Sequence, residues 1–142
     1  MRKPIVTPSV NDLPPEVGQA VLEFNQGEFY ACHDTLEALW TEAREPERTF
    51  FQGVLQLAVA CYHLQNQNQR GAVLLLAEGC RRLNQYWPAY SWVDVASLVE
   101  QAQALLECLQ TNQPPQAWPK LHIVTLAPIS PSVGVDDGFD GE

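Results

Sequence analysis

Apolar residues recur at helical spacing along most of the chain. Val17, Val21, Leu22 and Phe24 give one side to a helix over 14–25, opened by two prolines suited to a first turn and stopped at Gly27. A second helix is expected over 28–43, broken ahead of Pro46 because the residue before a proline avoids the helical region. The third, over 47–65, contains FFQGVLQLAVACYHL, is apolar on nearly every side and should be the most buried. QNQNQRG reads as a turn. The fourth, over 69–87, carries Ala72, Leu76, Gly79, Cys80, Leu83 and Trp87 on one stripe and ends at Pro88. The fifth, over 93–111, carries Val95, Leu98, Val99, Ala102, Leu105 and Leu109. Helix after helix with short joints predicts an all-α fold, an antiparallel bundle of about five helices.

Residues 1–13 read as an irregular lead-in and 14–112 as the bundle. Residues 113–142 read as an extended proline-rich segment with an acidic tail, mobile after about Pro131. Within that segment KLHIVTLAP has a short apolar core suited to docking in extended form.

The second helix holds a chemical oddity. With His33 at zero on a wheel of about 100° per residue, Glu37 lies at about +40°, Trp40 at about −20°, Phe29 at about −40° and Tyr30 at about +60°. An imidazole and a carboxylate thus fall among aromatic residues, near the middle of the face that looks most apolar. Asp34, at about +100°, stands at its boundary. The third helix repeats the motif: Gln52, Gln56 and His63 form a single polar line on an otherwise apolar cylinder. Counting heights outward from the joint near residue 45 sets Gln52 and Gln56 level with the His33–Glu37 pair, and Gly53 would let the two helices approach closely there. Two facing polar lines would satisfy each other, since a buried carboxylate without partners costs several kcal/mol.

Two kinds of chemistry fit that arrangement. One is a buried hydrogen-bond network that fixes helix register. The other is a site: His33 and Glu37, with His63 as a third ligand, are a usual donor set for zinc or another divalent metal, and the same trio suits acid–base work in a closed pocket. Tyr30, His33, Asp34, Glu37, Gln52, Gln56 and His63 are therefore the candidate ligand-binding residues. His33, Glu37 and His63 are the candidate metal ligands; the pattern names no cofactor, though a divalent metal would fit it.

Charge narrows the partners. The formal net charge is −9, with eight Lys and Arg against seventeen Asp and Glu. Such a field repels nucleic acid and anionic membranes. No apolar run approaches the length of a membrane span, and MRKPIVTPSVNDLPPEV has no signal-peptide core, so a cytoplasmic protein is expected. Cys32, Cys61, Cys80 and Cys108 are widely spaced, form no C-x-x-C, and read as small buried hydrophobes. YWPAYSW is either a packed turn or an aromatic contact patch.

FNQGEFYACHDTLEALW followed by FFQGVLQLAVACYHLQNQNQRGA resembles the bacterial and cyanobacterial family called domain of unknown function 309. The resemblance rests on Phe24, Asn25, Gly27, Phe29, Tyr30, His33, Asp34, Leu36, Glu37 and Trp40. It continues through Phe51, Gln52, Gly53, Gln56, Leu57, Ala58, His63, Asn68, Gly71 and Ala72, covering about residues 14–87. It implies an all-helical bundle and makes the polar line a family feature, but supplies no reaction. Asp34 stands where many members have Glu, and Thr41 where an arginine is common.

The expectation from sequence is a soluble helical-bundle protein acting as a binding or interaction module around a buried His/Glu/Gln site. Its ligand would be a protein partner or a second copy of the chain. The alternative is a metal-dependent or acid–base enzyme of hydrolase type using His33, Glu37 and His63.

Overall fold

A computed structural model describes residues 13–126. These residues form five α-helices: α1 (Pro15–Asn25), α2 (Phe29–Glu42), α3 (Glu47–Gln65), α4 (Gln69–Leu83) and α5 (Val95–Gln110). The fold is all-α, and no named strand occurs among the described residues.

Local chemistry sets the helix ends. Pro15 occupies the first turn of α1, where a missing N–H costs nothing. Gly27 closes the next joint at φ +78°, a conformation that side chains resist. The Asn68 side chain accepts the Gly71 N–H at 3.0 Å and caps α4. The Asp94 side chain does the same for Ser97 at the start of α5. This cap explains why α5 begins two residues later than the apolar pattern predicts. Val93 instead makes isolated bridges to Tyr90 and Thr125. The fourth helix is shorter than expected: α4 ends at Leu83, and Asn84–Tyr86 tighten into a 3-10 turn. The residue before Pro88 is barred from the helical region, and the Tyr86 hydroxyl donates to the Pro46 carbonyl at 2.6 Å.

Successive helices run antiparallel, as their contacts show. Gly53 lies against Leu83, Gly79 against Leu57, and His63 against Gly71, so α3 and α4 pair head to tail. Tyr30 meets Tyr62, and Arg48 reaches Trp40, so α2 and α3 do likewise. Helix α3 has its most extensive contacts with α4 and then with α2. Leu57, Ala58 and Ala60 are fully buried in it, but so are Val95, Leu98, Val99 and Ala102 of α5, so α3 is not the most buried helix that the sequence leads one to expect.

The α3–α4 pair depends on two glycines. A Cβ at Gly79 would sit 2.7 Å from Leu57 Cδ2 and 3.1 Å from the Gly53 carbonyl oxygen; one at Gly53 would sit 2.8 Å from Leu83 Cγ. The close approach expected of Gly53 is therefore real, but it serves α4 rather than α2.

After α5 the chain returns along the bundle. Leu121, Ile123 and Thr125 are buried while His122 is exposed, the alternation of an extended segment. Two side-chain amides grip its backbone. Asn25 donates to the Ile123 carbonyl at 3.1 Å and accepts its N–H at 2.7 Å. Gln101 does the same for His122, at 3.1 and 2.7 Å. Each amide mimics a neighbouring strand. The docking expected of KLHIVTLAP is seen as far as Leu126; the tail expected after Pro131 lies outside the described residues.

Two stability tests follow. Gly79→Ala is expected to lose about 1–2 kcal/mol to overpacking, although alanine is the better helix former by about 1 kcal/mol. Urea unfolding followed by circular dichroism reads the balance, a net loss of up to about 1 kcal/mol, and a variant stabilised by about the full helix-propensity gain contradicts the close approach. Asn25→Ala leaves two backbone groups of Ile123 without partners and should cost about 1–3 kcal/mol. Hydrogen exchange should then show the Ile123 amide deprotected well before the amides of α3.

Candidate functional site

Helix α2 does not bury the face expected of it. Its buried residues are Cys32 and Leu36, with Phe29 and Leu39 packed beside them. Cys32 is fully buried between α1 and α3: its thiol donates to the Ala20 carbonyl at 3.4 Å, and Cys61 is close enough to raise its pKa. The buried stripe is therefore centred about 80° from His33. A small cysteine carries little weight in a hydrophobic pattern, yet small residues are what a close helix contact needs. The large aromatics mislead in the opposite sense, since Tyr30 is 59% exposed.

His33 lies on the shoulder of that stripe rather than in it. Its side chain is 32% exposed, that of Asp34 64% and that of Glu37 55%. The expected burial of this pair is thus corrected: both carboxylates reach solvent, and no buried partner is needed to satisfy them. The imidazole stands between them. Nδ1 is 3.2 Å from Asp34 Oδ1, and Nε2 is 3.8 Å from Glu37 Oε1. The Asp34 approach misses hydrogen-bond alignment, and Nδ1, itself enclosed, has no hydrogen-bond partner. The Tyr30 ring leans over the imidazole at 5.8 Å and over Tyr62 of α3 at 5.4 Å.

The α3 polar line turns the other way. Gln56 accepts from Arg82 of α4 at 3.2 Å, and Glu78 holds the same guanidinium at 2.7 Å. A hydrogen bond from Arg81, also at 2.7 Å, and then the one from Arg82 keep the Glu78 carboxyl below its ordinary range. Gln52, one turn earlier, is half-buried. His63 Nδ1 lies 3.4 Å from the Asn68 side-chain nitrogen, at the head of α4. The structure thus gathers Tyr30, His33, Asp34 and Glu37 on one strip. Gln56 and His63 face α4 instead.

The donor atoms of His33, Asp34 and Glu37 lie within 4.8 Å of one another, and His63 is not among that group. Ligands on a tetrahedral zinc stand about 3.4 Å apart. The Nε2–Glu37 spacing of 3.8 Å is close to that, whereas Asp34 stands on the other ring nitrogen. A ligating histidine ordinarily donates its other ring N–H to a carboxylate; Asp34 stands near Nδ1 but makes no hydrogen bond to it.

The thiols offer no rival chemistry. Burial pushes Cys61 up to about 12 and Cys80 up to about 11. Burial, then Glu23 and Cys61, pushes Cys32 up to about 12. Thiols held so far above neutral pH are poor nucleophiles. All four cysteines are free. Sequence reasoning passed over Arg82 and Gln101, whose partners lie on other elements and leave no local pattern. It also passed over a cavity beside the α4–α5 connection.

No described helix is long and apolar enough to cross a membrane. Alkylation of the native protein with iodoacetamide should label Cys108, which is partly exposed, ahead of the other three, which react only on unfolding. Peptide mapping reads this, and early labelling of Cys32 contradicts its packing between α1 and α3.

The family model described as Domain of unknown function (DUF309) matches residues 17–75, from α1 into α4, and so contains the whole strip. A relative is the uncharacterized protein YpuF of Bacillus subtilis (strain 168), 34% identical over 87 residues, which cover 59% of this chain and 50% of that protein. The chain spans about half the length of this curated relative.

Proposed function

On the match of the DUF309 family model to residues 17–75 and on the site's geometry, we propose that the chain is a binding module whose working edge is the α2 strip, taking a divalent cation there. The observation that carries this reading is the bracketing of one half-exposed imidazole by two exposed carboxylates on successive sides of a single helix. With its proton on Nδ1, His33 would turn the Nε2 lone pair toward Glu37, and the Asp34 carboxylate adds negative charge beside the ring. Two protein ligands leave most of the coordination sphere to water or to a bound partner. Such a site is open, and its affinity is modest.

Openness also weighs against the enzyme reading. A hydrolytic centre gains from a dry, enclosed cavity that strengthens its electrostatics, and this strip has more than half of both carboxylates in solvent. The acid–base alternative retains one supporting observation, the placing of a carboxylate at each ring nitrogen.

Titration calorimetry with zinc and manganese, on the parent and on His33→Ala and Glu37→Gln, tests the proposal. One ion per chain is expected, with binding lost in His33→Ala and weakened at least about tenfold in Glu37→Gln. His63→Ala should bind as the parent does. Absence of binding at excess metal, or equal loss in His63→Ala, overturns the reading. Turnover of simple esters by the parent but not by His33→Ala would favour the enzyme.

A further inference from the structure

A cavity of about 330 Å³ opens where the end of α2, the start of α3 and the α4–α5 connection meet. Its walls are aromatic and aliphatic. Phe50, Phe51, Tyr90 and Trp92 line it, with Val17 and Leu39 beside them. The aromatic wall is held firmly: Phe50 packs on Tyr90 at 4.9 Å and on Tyr86 at 5.4 Å, and Tyr86 packs on Tyr90 at 4.8 Å. Below the cavity lies a second, wholly apolar recess that reaches Val54 and Ile123.

Two acids, Glu42 and Glu47, complete the lining. Both are exposed, and neither forms an ion pair among the described residues. Arg48, the residue after Glu47, lies over the Trp40 ring at 4.2 Å and donates to the Trp40 carbonyl, and neither it nor Arg44, which stands between the two acids in sequence, lines the cavity. The negative end of α2 and the positive end of α3 meet at this mouth and oppose each other, so the two side-chain carboxylates decide the sign of the field. Its effect is felt inside the wall, where burial first and Glu47 second raise the Tyr90 phenol above its ordinary pKa.

Charge and shape together select the ligand. An anion meets two unpaired carboxylates and a chain of net charge −9. A neutral apolar molecule gains nothing from the acids. A cation gains from them, while an apolar body attached to it packs on the aromatic rings. The volume lies at the small end of ligand pockets, enough for a body of roughly ten heavy atoms.

We propose that this cavity binds a small organic cation, an ammonium or quaternary ammonium group on an apolar body. The body lies against Phe50, Phe51, Tyr90 and Trp92, and the charge is held at the Glu42–Glu47 mouth. None of the strip residues takes part, so this site and the metal edge on α2 stand or fall separately.

The test uses three molecules on one framework: 3-phenylpropylamine, 3-phenylpropan-1-ol and 3-phenylpropanoate. Calorimetry with the full chain should give the ammonium a dissociation constant of about a millimolar or below. It should bind about fivefold more tightly than the alcohol, with the carboxylate weakest. Amide chemical shifts should move at Phe50, Phe51, Tyr90 and Trp92. In Glu42→Gln/Glu47→Gln, surface changes that leave the fold intact, the preference for the ammonium should vanish while the alcohol binds as before. Equal binding of the alcohol or the carboxylate in the parent overturns the proposal. So does an ammonium preference that survives the double substitution, shifts confined to other residues, or no binding at all.

Discussion

Helices α3 and α4 can lie as close as they do because Gly53 and Gly79 leave space that Leu83 and Leu57 fill. Much else depends on that contact. It commits one flank of α3 to α4, and with it Gln56 and His63, which meet Arg82 and Asn68. The other flank is left for α2, which approaches through Cys32 and Leu36 and so rolls His33 onto its shoulder. The strip on α2 is thus a consequence of packing on the far side of α3. Were α3 rotated so that its polar line faced α2, His33 and Glu37 would gain buried partners and lose their access to solvent.

Heights were legible in the sequence and rotations were not. Apolar spacing with proline and glycine punctuation locates all five helices, most to within two residues, because a helix records its ends in single residues. Short joints then set which residues stand level. The Tyr30–Tyr62 contact and the hydrogen bond from Gln65 to the Gly27 carbonyl agree with those levels. Rotation is harder for α3, which is apolar nearly all round, because periodicity cannot say which neighbour its few polar residues address. Small residues decided the matter, and Cys32, Gly53 and Gly79 weigh little in a hydrophobic pattern. The end of α4 and the start of α5 differ for a related reason: Tyr86 and Asp94 are fixed by partners that the apolar stripe does not register.

The chain carries two chemically different acidic features on one end-to-end helix. Along the side of α2, Asp34 and Glu37 flank an imidazole; at its end, Glu42 joins Glu47 over an aromatic wall. Among the described residues, both expose carboxylates that form no ion pair with arginine or lysine, whereas Glu78 is held by Arg81 and Arg82. The distinction matters more than the net charge. A paired acid is part of the scaffold, and an unpaired one at a formed surface is available to a ligand.

The account turns on α2 presenting His33 and Glu37 outward rather than locking them in the core. A double-mutant cycle with His33→Ala and Glu37→Ala, measured by urea unfolding of the metal-free protein, tests it most directly. An open pair four residues apart on a helix should show a coupling of about 0.5 kcal/mol or less. A coupling of about 2 kcal/mol or more would mark a buried, mutually dependent network and would contradict the account.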